Sequence, residues 1–171
     1  MSQVILVNEL DIALGKMEKM QAHEKGLLHR AFSIFIFNAK GDMLLQQRAL
    51  AKYHSAGLWT NACCSHPQPG ESTAIAARRR LNEEMGFTTN LKETFTFTYK
   101  TDFENGLTEH EFDHVFIGNY DGKIIPDEKE VKDYSYQSMS AIRSGLQKHP
   151  HKYTSWFKIA FPKLEDYLAG A

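Results

Sequence analysis

Two alternating stretches face each other across Asn105-Gly106, and no other feature limits the fold of this chain as strongly. Over residues 94–99, Phe95, Phe97 and Tyr99 fall on one face and threonines on the other, the pattern of a half-buried strand. Asn-Gly is a hairpin turn signal, because both positions accept the positive φ such turns need. The return strand, over residues 108–120, puts Glu109, Glu111, Asp113, Val115 and Ile117 on one face and His110, Phe112, His114 and Phe116 on the other. Three acids in a row on one strand face repel each other unless they are solvated or share a cation.

The rest of the chain reads as further strands with helices around them. Residues 4–7 form a short buried strand, 8–19 a turn region broken most sharply at Leu14-Gly15-Lys16, and 22–29 a polar, Gly-interrupted stretch holding His23 and His29. Residues 31–37 are apolar on both faces, as expected inside a sheet. Residues 38–41 turn the chain into a return strand over 43–48, a second hairpin, and 49–55 is a polar loop with Lys52 and His54. A helix is predicted over 71–85, started by Ser72 or Thr73, stopped by Gly86, with Ala74, Ala77, Leu81 and Met85 as its core stripe. Ile124-Ile125 reads as a short strand, 127–132 as a charged loop and 131–137 as an edge strand. Helices are expected over 138–148 and 154–168, the last with Trp156, Ala160, Leu164 and Tyr167 on one stripe. The expectation is α/β (α+β): a mixed sheet with hairpins flanked by helices, in one domain spanning 1–171.

Composition excludes several functions. The formal charge of -1 lacks the basic excess of a general nucleic-acid binder, and no apolar run spans a bilayer or opens a signal peptide. A cytoplasmic protein with no membrane, nucleic-acid or obligate protein partner is expected. Cys63 and Cys64 are adjacent and cannot staple distant segments, so they read as free thiols.

Three sets of residues carry chemistry. His23, His29, His66, Glu109 and Glu111 are imidazoles and carboxylates of the kind that bind Zn, Mn or Fe-type ions, with one coordination position to spare. Cys64 is a possible acid, base or nucleophile. Lys19, Arg48, Lys52 and Arg80 are possible partners of a phosphate. In the 71–85 helix, Glu84 borders the core stripe in a last turn where the macrodipole disfavours carboxylates, which fits a metal ligand better than a surface ion pair.

Residues 65–87 resemble a Nudix box, Gly-x5-Glu-x7-Arg-Glu-U-x-Glu-Glu-x-Gly-U with U a bulky apolar residue. Glu71, Arg79, Leu81, Glu83, Glu84, Gly86 and Phe87 match, while Ser65 stands at the first Gly and Arg80 at the Glu after the Arg. That lost Glu belongs to the metal set with which Nudix hydrolases cut diphosphates. Both departures are those of the type I isopentenyl-diphosphate isomerases. The chain is similar to that family through Leu28-His29-Arg30-Ala31-Phe32-Ser33, Gln47-Arg48-Ala49, Trp59-Thr60-Asn61, Cys64-Ser65-His66-Pro67 and Glu109-His110-Glu111.

The resemblance implies isomerisation of isopentenyl diphosphate to dimethylallyl diphosphate through a tertiary carbocation, in isoprenoid biosynthesis. It implies Cys64 and Glu111 as the proton-transfer pair, with the order of transfer open, and Tyr99 feeding or orienting Glu111. His23, His29, His66, Glu109 and Glu111 are implied to hold Mn²⁺ or Zn²⁺, and Glu84 a Mg²⁺ that bridges the substrate diphosphate. Lys19, Arg48, Lys52 and Arg80 are implied to bind that diphosphate, and Trp156 to face the cation. Residues 1–30 become an N-terminal extension contributing His23 and His29. The alternative is a Nudix diphosphohydrolase acting on a nucleotide.

Overall fold

The computed structural model describes residues 2–170. Nine strands form one mixed sheet: β1 (Gln3–Val7), β2 (Ala13–Glu18), β3 (His29–Phe37), β4 (Met43–Arg48), β5 (Trp59–Asn61), β6 (Cys63–Ser65), β7 (Leu91–Asp102), β8 (Thr108–Asn119) and β9 (Val131–Gln137). The helices are α1 (Lys19–Lys25), α2 (Thr73–Met85), α3 (Met139–Lys148) and α4 (Ser155–Gly170), with a short 3-10 turn at Pro150–Lys152. This is the mixed α+β architecture expected from the patterning.

β3 is the spine. It runs parallel to β8 in a register that sets His29 opposite Glu111 and Ser33 opposite Val115, and antiparallel to β6, which sets Ser33 opposite Cys64. Its side chains supply both layers of the core. Phe32, Ile34 and Ile36 meet Ala76, Ala77, Leu81 and Met85 of α2 on one face. Phe35 meets Phe157, Phe161 and Leu164 of α4 on the other. A strand covered on both faces must be apolar on both, which is why residues 31–37 lack alternation.

Several local expectations are corrected. Residues 13–18 are the edge strand β2 rather than a turn, with Gly15 opposite Leu6. The turn is shorter, closed by Asn8, whose Oδ1 accepts from the N–H groups of Leu10 (2.9 Å) and Ile12 (3.0 Å). An edge strand with no buried face carries no alternation to read. Residues 19–25 form α1, capped by the Glu18 carboxylate on the Met20 and Gln21 N–H groups and ended by Gly26 at φ 64°. The expected β3–β4 hairpin pairs only at Phe37 and Met43. Beyond that point Asn61 donates to the Ile34 carbonyl at 2.9 Å and β6 takes the place alongside β3. In α2, Ala74 is exposed, and burial starts at Ala76.

Ile124-Ile125 forms no strand. The Ile125 N–H donates to the Met85 carbonyl (3.0 Å) and the Asp127 N–H to that of Glu84 (2.9 Å), so this segment satisfies the C-terminus of α2 instead of a ladder. Gly86 permits the contact. It has φ 74°, and a Cβ there would meet the Ile125 carbonyl oxygen at 2.2 Å. Phe35, Phe37, Phe95, Phe97 and Trp59 belong to the α4 side of the core, whereas Trp156 lines a recess at the end of β8.

Candidate active site

The sheet and two helices deliver the site residues to one end of β3 and β8. α1 carries His23, β3 begins with His29, and β8 carries Glu109 and Glu111 side by side on its buried face. β6 brings Cys64, followed by His66, and α2 presents Arg80 and Glu84. Tyr99 of β7 lies opposite Glu111 in the register of the long hairpin.

The ligand atoms of His23, His29, His66 and Glu111 all lie within 4.8 Å of one another. Glu109 falls in an adjoining group with His23 and His54. The Nδ1 atoms of His23 and His29 donate to the carbonyls of Lys19 (2.7 Å) and Leu27 (2.9 Å), since a carbonyl only accepts. Their Nε2 atoms are buried without hydrogen-bond partners. His23 Nε2 sits 3.6 Å from Glu109 Oε2, and His29 Nε2 sits 3.3 Å from Glu111 Oε2. In each neutral ring that leaves a nitrogen lone pair facing a carboxylate oxygen, an arrangement that only a cation or an added proton relieves. Backbone carbonyls that hold Nδ1–H and leave Nε2 free are what ligating histidines require. The donor set therefore fits a divalent ion of the Zn or Mn kind.

The electrostatics agree. Burial pushes the Glu111 carboxyl up, but His66 and His29 outweigh it and hold the group well below the usual carboxylate range. Glu109 is likewise lowered to about 2, with burial and Glu111 opposed by His23 and His54. For His23, burial is overcome by Glu109, and its pKa is raised. Burial wins at His66, whose pKa is lowered despite Glu111 at 2.8 Å.

Cys64 is half-buried at the mouth of a recess that Glu111, His54 and Trp156 also line. Burial, with Asp113 nearby, pushes its thiol pKa far up, so the sulfur is protonated. It donates to Asn61 Oδ1 at 3.2 Å, and the Ser33 hydroxyl is 3.5 Å away. Ser33 in turn donates to Asp113 at 2.7 Å. Cys63 points the other way, into the α2 side of the core.

A second recess adjoins the first. Lys19, Arg48, Lys52 and Arg80 all line it, together with Glu84 and Glu130. Arg80 bonds Glu84 at 2.6 Å and Ser65 Oγ at 3.1 Å, so the i,i+4 ion pair does form; Lys52 bonds Glu130 at 2.5 Å. Gln46 steadies the other oxygen of Glu84 at 3.1 Å. Burial raises the Glu84 pKa against the pull of Arg80. Burial, then Lys52, lowers that of Lys19, the mark of crowded cations. Arg48 lies 5.1 Å over the Trp156 ring. Glu130 and Gln46 carry no signal in the sequence, while Asn61 and Ser33 stand there only inside resemblance motifs and His54 only as a loop residue. Their residue types are ordinary, and only Asp113, sharing a strand face with Glu111, carried a local signal.

The NUDIX domain family matches residues 27–157. The chain is 50% identical over 169 residues to the isopentenyl-diphosphate Delta-isomerase of Pectobacterium atrosepticum, covering 98% of this chain and 93% of that one. It is 51% identical to isopentenyl-diphosphate Delta-isomerase 2 of Aromatoleum aromaticum, covering 95% and 86%. Among solved structures, a Deinococcus radiodurans protein superposes with TM-score 0.79 at 16% identity over 95% of this chain and 98% of that chain. The MutT protein of Methanosarcina mazei superposes with TM-score 0.67 at 20% identity over 81% and 94%.

Proposed function

This chain belongs to the Nudix family and, within it, to the isopentenyl-diphosphate Delta-isomerases, and on that premise we propose how its site performs the isomerisation of isopentenyl diphosphate to dimethylallyl diphosphate. One observation carries the reading: the half-buried thiol of Cys64 and the carboxylate of Glu111 line one recess, beside a second recess lined by four cationic side chains. The diphosphate lies against Lys19, Arg48, Lys52 and Arg80, which bind it by charge-assisted hydrogen bonds. The C5 chain then points toward Cys64 and Glu111.

The double bond moves by one carbon in two proton transfers. One member of the pair protonates the terminal alkene carbon, leaving a tertiary carbocation. The other removes a proton from the neighbouring carbon on the far side, and the electrons of that C–H bond become the new double bond. In the ligand-free protein the proton sits on Cys64 sulfur and Glu111 is ionised. Tyr99 holds Glu111 by a hydrogen bond of 2.5 Å and shares its proton network. Trp156, buried above Arg48, presents an aromatic face where positive charge develops, worth about 1–2 kcal/mol when desolvated. Excluding water from this recess protects the cation from capture.

His23, His29, His66, Glu109 and Glu111 form the proposed site of one divalent ion, Mn²⁺ or Zn²⁺, with residues 1–30 an extension that supplies the first two. Glu84 would hold Mg²⁺, a hard cation for which a carboxylate is a suitable donor. When bound, these ions keep Glu111 ionised and neutralise diphosphate charge. The hydrolase alternative fares worse: Arg80 occupies the Glu position of the box, so a carboxylate of the hydrolase metal set is missing. The small isoprenoid diphosphate is the proposed partner. Residence in the cytoplasm is supported by the free Cys63 and Cys64 and by the lack, among the described residues, of a helix long and apolar enough to cross a membrane.

The test is to incubate purified protein with isopentenyl diphosphate and Mg²⁺. Dimethylallyl diphosphate without phosphate release is the expected product. Phosphate release without isomer formation would overturn the reading in favour of hydrolysis.

A further inference from the structure

His54 lies in the loop between β4 and β5, outside the five-residue metal set and the proton-transfer pair proposed above. A loop histidine is normally wet, yet this one is 7% exposed. Phe103 stacks on its ring at 4.4 Å with 10° between planes, and Trp156 meets it edge-on at 5.6 Å. Arg48 donates to its backbone carbonyl at 3.2 Å, which holds the loop inward. Nδ1 contacts the Ser55 hydroxyl at 3.1 Å. That leaves Nε2, which is buried, lacks any hydrogen-bond partner and points at Glu109 Oε2 from 3.1 Å.

The same Glu109 oxygen is approached by His23, and the donor atoms of His23, His54 and Glu109 lie within 4.8 Å of one another. Two ions, one for each donor group, do not account for this. The groups share His23, whose Nδ1 is committed to the Lys19 carbonyl, so it has one nitrogen to give to one ion. With its proton on Nδ1, the ring turns the Nε2 lone pair toward Glu109 Oε2 at 3.1 Å, as at His23 and His29, and Nε2 has no hydrogen-bond partner. A packed imidazole with its second nitrogen on a hydroxyl and its free nitrogen aimed at a shared carboxylate is arranged as a metal ligand is.

We propose that His54 is a sixth protein donor of the metal centre, approaching it beside His23 and Glu109, the two site residues whose donor atoms lie within 4.8 Å of its own. The inference deepens the proposed metal site and rests on it. It fills the coordination position that a five-residue set leaves open, so the centre takes an ion content with mixed imidazole and carboxylate donors and offers the substrate no vacancy. The ion then holds Glu111 and Glu109 in place, and contact with the substrate is left to the side chains of the recess.

The experiment uses Co²⁺ loaded into the metal-free full chain and proton NMR. Each histidine bound through Nε2 keeps an Nδ1–H that appears as one strongly shifted, solvent-exchangeable signal. The wild type is expected to show one signal for each of His23, His29, His54 and His66, four in all. H54A and the bulkier H54Q are each expected to lose one and retain three, the retained signals reporting an intact fold. Retention of Mn²⁺ against a chelator is expected to weaken at least about tenfold in both variants. Three signals in the wild type, or four in either variant, overturn the assignment of His54 and leave the five-residue site standing. The absence of shifted signals in the wild type overturns the metal centre itself, independently of isomerase turnover.

Discussion

The Tyr99 hydroxyl lies 2.5 Å from Oε1 of Glu111 and also bonds Oε1 of Glu109, so one phenol proton serves two buried carboxylates. Burial and both glutamates raise its pKa far above the ordinary value, which keeps that proton on oxygen. The contact joins the proposed base to its neighbour on β8 and makes Tyr99 the clamp of the pair.

Y99F removes that proton and keeps the ring. Turnover is expected to fall by about 10–100-fold with substrate KM changed little, because the carboxylates lose their orientation while the cationic recess is untouched. Steady-state kinetics with metal content measured on the same samples checks this, and a rise in KM at unchanged kcat would refute it.

C64A deletes one arm of proton transfer. A loss of about 100- to 10,000-fold in kcat is expected, the usual scale for general acid–base groups. Binding of an isoprenoid diphosphate, followed by calorimetry, is expected to persist. Near-normal turnover would remove Cys64 from the reaction.

Arg80 spans Glu84, Ser65 and the recess, and R80Q keeps its bulk but not its charge. An increase in KM of about 10–100-fold is expected from losing a charge-assisted contact. The effect of added salt on kcat/KM should be weaker in R80Q than in the wild type. An unchanged KM would place the diphosphate elsewhere.

The pKa of His23 is raised above its ordinary 6.5 by Glu109 acting against burial. A raised basic group stabilises the metal-free protein fully below pH 6.5 and loses that contribution as pH rises through its folded value. The same proton must leave before an ion binds. The metal-free protein is therefore expected to lose melting temperature as pH climbs from 6 to 8, while affinity for Mn²⁺ rises over that window. Thermal melts with and without metal test both signs together; in H23Q the pH dependence of the metal-free protein should flatten.

G86A probes the closure of α2 on residues 125–127. A Cβ at φ 74° is strained and would meet the Ile125 carbonyl oxygen at 2.2 Å. The loss is expected to exceed about 1 kcal/mol in urea unfolding. A neutral result would show that the segment moves away without cost.

Local patterns made much of this molecule legible before its structure. The Asn105-Gly106 turn and its flanking alternation correspond to β7 and β8, and the helix stop at Gly86 and the two-faced strand β3 are where the residues place them. Periodicity and caps report these because they arise from side chains a few positions apart. β2 and the segment at 124–125 escaped the same reading for one reason: their backbone partners, not their side-chain pattern, determine what they are.

By itself, the sequence determined which chemical groups are present and the faces on which β8 and α2 carry them. It placed Glu109, Glu111 and Asp113 on one side of a strand and Arg80 one turn before Glu84. Tertiary structure alone decided that these groups meet. Parallel pairing of β3 with β8 sets His29 against Glu111, and β6 alongside β3 sets Cys64 against Ser33. A strand's period of two is the same whichever neighbour and direction it takes, so the pattern along one strand does not name the strand it pairs with. His54 is the clearest case: a loop residue with no periodicity, drawn to Glu109 by the packing of Phe103 and Trp156.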